Sequence, residues 1–240
     1  MTIDFLSRRF PFFAAVQLLR TTVREEMPRI RSDDLGIQAE GYSNLSECFL
    51  ELGHAGLCKI KNAFRPWWLS WLAPLRVAQW ACMWLPLNAY CRARMLTCSD
   101  RAASRAGYRE MTPHMCDVRQ RILRAARQYE EAGFVARLGL EKNPAETHLR
   151  ASLSLGLADV YRYFGDAERA RECLETALEE RRWVEDAGPH GAIRVYQESA
   201  RLMRKIALSR TETVSPLALE SRARELVRNL NAQDRLLRAA

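Results

Sequence analysis

Residues 157–180 read LADVYRYFGDAERARECLETALEE, and this stretch decides the fold of the 240-residue chain. Small and apolar residues recur three or four positions apart on both sides of Gly165-Asp166, which is the period of an amphipathic helix. Glycine accepts the positive φ that a tight reversal of the chain requires. The pattern therefore predicts that residues 151–180 form two helices joined by a short turn and packed as an antiparallel hairpin.

The same stretch indicates how the two helices cross. Small residues are expected where helix backbones approach closely, with bulky apolar residues filling the space around the crossing. The small set is Ala158, Ala170 and Ala177. The bulky set is Leu157, Tyr161 and Leu174. This order of residues resembles the tetratricopeptide (TPR) repeat, although Ser154 stands at the early aromatic position and Arg182 at the closing proline.

One repeat cannot bury its own faces, so neighbouring helices are required. Upstream, residues 130–144 (EEAGFVARLGLEKNP) resemble the second helix of a preceding repeat, and residues 115–129 would form its first helix. Downstream, 192–208 and 216–230 supply two more helices. No segment alternates convincingly as a strand would. We therefore expect an all-α protein, with a TPR-like domain at 113–240 behind an apolar, Trp-rich helical region at 1–112.

The resemblance also implies which residues bind a partner. In the tetratricopeptide family the first helices line a concave groove that holds a protein or peptide segment. Matching the repeat places five partner-binding residues there: Ser152, Leu155, Asp159, Arg162 and Tyr163. Leu155 and Asp159 stand where some members carry the basic and asparagine residues that hold a C-terminal carboxylate. The resemblance thus favours a non-enzymatic adaptor without a cofactor, and disfavours a receptor for chaperone tails.

The front region has two segments with alternative interpretations. Residues 5–24 predict an amphipathic helix that packs on the core or lies on a membrane surface. Residues 66–90 hold five of the six tryptophans and match a membrane span of ~20 residues in length. However, Arg76 would cost ~2.5–3.5 kcal/mol in the bilayer, and Pro74 interrupts a helix. Two short apolar helices bent at Pro74 are expected, either in the core or dipping into a membrane face.

The charge distribution and the cysteine content indicate which partner is disfavoured and in which compartment the protein is expected. The net charge is +8, but the basic residues are spread among 29 acids rather than gathered in a block, so a nucleic-acid partner is disfavoured. Seven cysteines form no CxxC pair and leave an odd one, which indicates a reducing compartment. We expect a cytoplasmic protein, either free or associated with a membrane.

A second resemblance lies in the front region and implies an alternative function. Residues 50–54 (LELGH) are similar to the HExxH zinc helix, with Leu50 in place of the first histidine. Residues 92–103 (RARMLTCSDRAA) resemble the segment of HtpX-like metallopeptidases that supplies the third ligand, where Met95 replaces a glutamate. The implied alternative is a divergent or inactive zinc metallopeptidase with catalytic Glu51 and Asp100 and with His54 as zinc ligand. A single ligand cannot hold catalytic zinc.

Overall fold

The computed structural model describes residues 11–63, 73–185, 189–206 and 215–237. Within these ranges the regular structure is helical and no strand occurs, which confirms the all-α expectation. In chain order the helices are α1 (Pro11–Ile30), α2 (Leu35–Ala63), α3 (Ala73–Ala106), α4 (Pro113–Ala125), α5 (Tyr129–Glu141), α6 (Thr147–Tyr163), α7 (Ala167–Val184), α8 (Pro189–Met203) and α9 (Pro216–Leu237). The chain forms two compact units, Met1–Met111 and Thr112–Ala240.

The first unit contains α1 to α3, and α2 packs against both of the others. Its apolar core has helical spacing. On α2 the buried residues include Leu45, Phe49 and Leu52. On α3 they include Cys91, Met95, Cys98 and Ala102. The ring of Phe49 meets the ring of Tyr90 edge-on at 5.9 Å between centroids, so the two long helices are joined along these stripes.

Two expectations for the front region need correction. The helix predicted over 5–24 is observed as Pro11–Ile30 and so ends six residues later; residues 5–10 lie outside the described ranges.

The chain after Pro74 does not form a short helix, because Pro74 lies in the first turn of the 34-residue helix α3. Proline is tolerated there since the first N–H groups of a helix lack intrahelical acceptors. Residues 66–72 lie outside the described ranges. Among the described helices, none is both long enough and apolar enough to cross a bilayer.

The second unit is built from helix pairs. Helices α4 and α5 pack together, as do α6 and α7, and α8 and α9. In addition, α4 contacts α6 and α6 contacts α8, while α5 contacts α6 and α7 contacts α8. Helix α6 is therefore surrounded by α4, α5, α7 and α8, and all ten residues 151–160 are buried. We call α4, α6 and α8 the first helices, because each begins a pair.

The hairpin predicted for residues 151–180 is formed by α6 and α7. Gly165 forms the turn with φ +83°, and the N–H of Asp166 donates to the carbonyl of Tyr161 at 3.0 Å. Arg150 near the start of α6 pairs with Glu180 near the end of α7 at 3.0 Å, so the helices are antiparallel. The predicted small set, Ala158, Ala170 and Ala177, is fully buried. The repeat pattern would have a proline at Arg182. Helix α7 instead continues past this residue to Val184.

Close helix approach is also enforced upstream by Gly139 of α5. A Cβ added there would lie 2.9 Å from the Cβ of Cys116 on α4 and 2.9 Å from Cδ1 of Leu153 on α6. The Cβ of Cys116 is attached to its backbone and cannot move aside alone. Glycine at this position therefore lets α5 pack against α4 and α6 together.

Candidate partner-binding face

Each of the first helices carries a single acidic residue. These are Asp117 on α4, Asp159 on α6 and Glu198 on α8. Their side chains are 0%, 5% and 14% exposed. Burial of an ion is costly unless opposite charges and hydrogen bonds compensate, and five arginines of the same three helices supply them.

Asp117 is bound from three helices. Its Oδ1 accepts hydrogen bonds from Ser152 Oγ of α6 at 2.5 Å and from Gln120 Nε2 at 3.1 Å. Its Oδ2 accepts from Arg194 Nη2 of α8 at 3.2 Å and lies 3.9 Å from Arg121 Nη1. Burial raises the pKa of Asp117, but Arg194 and Arg121 outweigh it, so the pKa lies below its ordinary value.

Asp159 is the centre of a second cluster. Its Oδ1 accepts from Arg162 Nε and Nη2 at 3.1 and 2.9 Å. Its Oδ2 accepts from Arg201 Nη2 of α8 at 3.1 Å and from Arg124 Nη1 of α4 at 3.5 Å. Burial raises the pKa of Asp159, and the charges of Arg201 and Arg124 together with these hydrogen bonds lower it below the ordinary value. The carboxylate is therefore ionised at neutral pH.

Glu198 completes this cluster. It accepts from Arg124 Nη1 at 2.5 Å and from Arg201 Nη2 at 3.3 Å. Burial raises its pKa, while the charge and hydrogen bond of Arg124 lower it, and the net shift is downward. Arg124 responds in the opposite direction: burial lowers the pKa of its guanidinium, Glu198 and Asp159 raise it, and the net shift is upward. The pairs are therefore charged on both sides.

We call these eight side chains the charged face. It consists of Asp117, Asp159, Glu198, Arg121, Arg124, Arg162, Arg194 and Arg201. Five positive and three negative charges leave an excess of two positive charges. The charges are also layered, because the side chains of Arg162, Arg194 and Arg201 are 30%, 25% and 45% exposed above nearly buried carboxylates. The surface that meets solvent is thus arginine.

An aromatic cluster lies at one end of α6. Tyr163 is 55% exposed, and its ring stacks on that of Tyr129 at 3.9 Å between centroids. The ring of Phe164 meets Tyr163 edge-on at 5.3 Å. Tyr163 directly follows Arg162 in sequence, but consecutive residues of a helix point in different directions. Its stacking on Tyr129 places the aromatic cluster beside the start of α5.

The five predicted partner-binding residues have three different environments. Ser152, Asp159 and Arg162 belong to the polar contacts of the charged face, but Ser152 and Asp159 are buried. Tyr163 is exposed in the aromatic cluster. Leu155 has no exposed surface and packs in the apolar core with Val195 of α8. A partner could not reach Leu155 in this structure, because α8 covers the side of α6 that the single repeat leaves open.

Of the eight residues of the charged face, sequence reasoning predicted Asp159 and Arg162. It missed the other six, which are Asp117, Glu198, Arg121, Arg124, Arg194 and Arg201. A signal for part of the cluster exists, since every first helix has its acid followed one turn later by arginine. The pairs are Asp117 with Arg121, Asp159 with Arg162, and Glu198 with Arg201. Residues three or four apart share a helix face, so the recurrence predicts aligned charges. It does not predict that they interlock between helices.

The residues of the second resemblance do not form a zinc donor set. Leu50 and Met95 stand at two ligand positions and are both buried; leucine offers no donor and a thioether is a weak one. Glu51 and Asp100 are exposed on α2 and α3, and the side chain of His54 lies outside the described part. No group of three His, Cys, Asp or Glu side chains suited to a metal occurs among the residues the structure covers. The donors present therefore do not fit catalytic zinc.

The described cysteines are free thiols, and burial raises the pKa of Cys91, Cys116 and Cys173 to about 11. The nucleophilic species is the thiolate, so at neutral pH these three side chains are poor nucleophiles. They act as small apolar residues in the helix contacts.

Comparison with protein-family models, curated proteins and solved structures finds no match to the chain.

Proposed function

We propose that the chain is a non-enzymatic, TPR-like adaptor that binds a segment of a protein partner over the charged face of α4, α6 and α8. The observation that carries this proposal is the layer of exposed arginines held by buried carboxylates. A guanidinium that is already oriented loses less conformational entropy when it binds. Arginine is also enriched among the residues that contribute most to protein interfaces.

The aromatic cluster adds apolar surface at the C-terminal end of α6. Tyr163 and Phe164 are exposed there, and tyrosine is enriched at interfaces because its ring is apolar while its hydroxyl can remain hydrated. A helix that carries both exposed aromatic rings and fixed cations offers a partner apolar burial and polar orientation. That combination is typical of binding surfaces.

The proposal includes a second contact, between the first unit and a membrane surface. The apolar residues that α3 exposes include Cys82, Leu85 and Tyr90, which belong to the Trp-rich segment 66–90 of the sequence. Arg92 and Arg94 on the same helix are also exposed. Apolar residues next to arginines suit the boundary between lipid headgroups and acyl chains. Vesicle flotation tests this contact: wild type should float with anionic vesicles, and Leu85→Glu should reduce flotation. Equal flotation of both would contradict it.

The docking face itself can be tested without knowing the natural partner. Random peptides displayed on phage would be selected against the full chain, and the selected peptides measured against three variants. Arg201→Gln alters the charged face and Tyr163→Ala alters the aromatic cluster at the end of α6, and these are the two face variants. Arg137→Gln alters an exposed arginine of α5. We expect peptides whose affinity falls about tenfold in the two face variants and is unchanged in Arg137→Gln. Selected peptides that are insensitive to both face variants, or no selected peptides at all, would contradict the proposed function.

A further inference from the structure

We infer that the segment bound at the charged face is acidic, with carboxylates spaced to meet Arg194 at one end and the pair Arg162 and Arg201 at the other. This inference rests on the docking face proposed above and names the chemistry of its occupant. It follows from where the charges lie, from which guanidinium atoms are already bonded, and from the spacing of the arginines.

The location of the charges favours a negative ligand. Arg162, Arg194 and Arg201 reach solvent, whereas the three carboxylates that hold them are almost fully covered. A ligand would meet the positive layer first and approach it more closely than the acids beneath. Coulomb attraction falls with distance, so the nearer arginines and the excess of two positive charges both favour an anionic segment over a neutral or basic one.

The hydrogen bonds within the face leave donors for that ligand. Arg162 uses Nε and Nη2 on Asp159, and Arg201 uses only Nη2 on Asp159 and Glu198. Among the described residues, no acceptor takes up Nη1 of either arginine. Both guanidinium groups are attached to one carboxylate and therefore lie close together. Planar guanidinium groups match carboxylate oxygens in geometry, so the pair can bind one ligand carboxylate jointly.

The third arginine sets a spacing. Arg194 and Arg201 are seven residues apart on α8, which is two helical turns or about 10 Å along the axis. A peptide in the polyproline II conformation advances about 3.1 Å per residue and returns to the same side every third residue. Carboxylates about three residues apart would thus reach both arginines. The geometry points to a segment in which aspartate or glutamate recurs at this interval.

A nucleic acid has the same sign of charge but fits this face less well. Its backbone carries a phosphate at every nucleotide, and binding strength depends on neutralising many of them. Only three arginines of the charged face reach solvent, which is too few to neutralise a dense row of phosphates. A peptide with a few spaced acids matches a few spaced arginines, so we assign the face to an acidic protein segment.

Fluorescence anisotropy with the full chain tests the assignment. The probe is a fluorescein-labelled peptide with glutamate at every third position in a serine and alanine background. The matched peptide has glutamine at the same positions. We expect the glutamate peptide to bind about tenfold more tightly. Arg194→Gln combined with Arg201→Gln should reduce that affinity about tenfold or more, and Arg137→Gln should leave it unchanged.

Other results would overturn the inference in distinguishable ways. If glutamate and glutamine peptides bind equally and both lose affinity in the double variant, the docking face stands and the acidic occupant is wrong. If an oligouridylate binds more tightly than the glutamate peptide, the occupant is a nucleic acid. If no peptide, selected or designed, depends on the face, both proposals fail. If circular dichroism shows that the double variant is unfolded, the salt dependence of binding to the wild-type chain tests the inference instead. Raised salt should then lower the affinity of the glutamate peptide and leave that of the glutamine peptide unchanged, and equal salt dependence of the two would overturn the inference.

Discussion

Arg124 in α4 donates a hydrogen bond of 2.5 Å to Glu198 in α8, 74 residues later in the chain. The same Nη1 atom lies 3.5 Å from Asp159 Oδ2 in α6. One nearly buried guanidinium thus contacts the acids of both other first helices. It joins all three helix pairs of the second unit through charge rather than through apolar packing alone.

The first prediction concerns the acid at the centre of this contact. Asp159→Asn removes the carboxylate charge to which Arg124, Arg162 and Arg201 all bind. Removal of one partner from a buried ion cluster typically costs ~3–5 kcal/mol of folding free energy. We expect the free energy of unfolding, measured by urea titration with circular dichroism, to fall by about that amount.

Asp166→Asn is the matched control for that variant. Asp166 is 38% exposed in its pair with Arg169, and its side chain accepts from the N–H of Arg169 at the start of α7. Asparagine can accept the same hydrogen bond, and exposed pairs contribute about 0–1 kcal/mol. If Asp159→Asn and Asp166→Asn lower the free energy of unfolding equally, the buried cluster does not stabilise the fold more than an exposed pair, and the prediction is wrong.

The second prediction is a loss of stability in acid. The pKa values of Asp117, Asp159 and Glu198 lie below ordinary in the folded chain. As the pH falls below the ordinary carboxyl values, the unfolded state therefore binds protons before the folded state does, and stability falls. Above those values the stabilisation is fully present. Urea titrations across this window should show the decline, and Asp159→Asn should show a shallower one. A pH-independent wild type would contradict it.

The third prediction tests the close approach of α4 and α6. A Cβ added to Gly156 would overlap Gln120 Oε1 and lie 2.8 Å from its Cδ. Gln120 is fully buried and bonded to Asp117, so it cannot move aside without loss of that bond. Overpacking costs ~1–3 kcal/mol, against a gain of ~1 kcal/mol in helix propensity. We expect Gly156→Ala to be destabilising in urea titration.

Gln120→Ala provides the matching double-mutant cycle. It removes the amide that an alanine at 156 would strike, so the double variant should be less destabilised than the sum of the two single variants. Strict additivity would show that the two positions do not meet as described.

The fourth prediction concerns the turn between α6 and α7. Gly165 has φ +83°, a region in which a side chain costs ~1–2 kcal/mol for most residues. Gly165→Ala should lower the melting temperature, and Gly165→Asn should lower it less, because asparagine tolerates the left-handed region better. Equal effects of alanine and asparagine would indicate that φ is not the cause.

The fifth prediction addresses zinc. Leu50 and Met95 are buried where a metallopeptidase needs donors, so we expect purified protein to hold far less than one zinc per chain by mass spectrometry of the metal. Glu51→Gln should leave the zinc content unchanged. One tightly held zinc per chain would restore the metallopeptidase alternative.

What the sequence determined by itself is the local architecture. The helical period, Gly165 and the small residues at 158, 170 and 177 are enough to predict the hairpin of α6 and α7, because a helix and its turn depend on residues a few positions apart. Pro74 shows the limit of such reasoning. The same proline can break a helix or begin one, and residues beyond it decide which occurs.

Only the tertiary structure decided which side chains of the first helices are buried and which reach solvent. Leu155 is in the core because α8 packs on α6, which the hairpin sequence does not contain. The contacts of Asp117 and Asp159 join residues that are 35 to 77 positions apart, and no local period encodes such distances. Each first helix carries its own acid and arginine in sequence, but their burial beneath exposed guanidinium groups follows from stacking the three helices. The sign and spacing of the proposed binding face are therefore properties of the assembled fold.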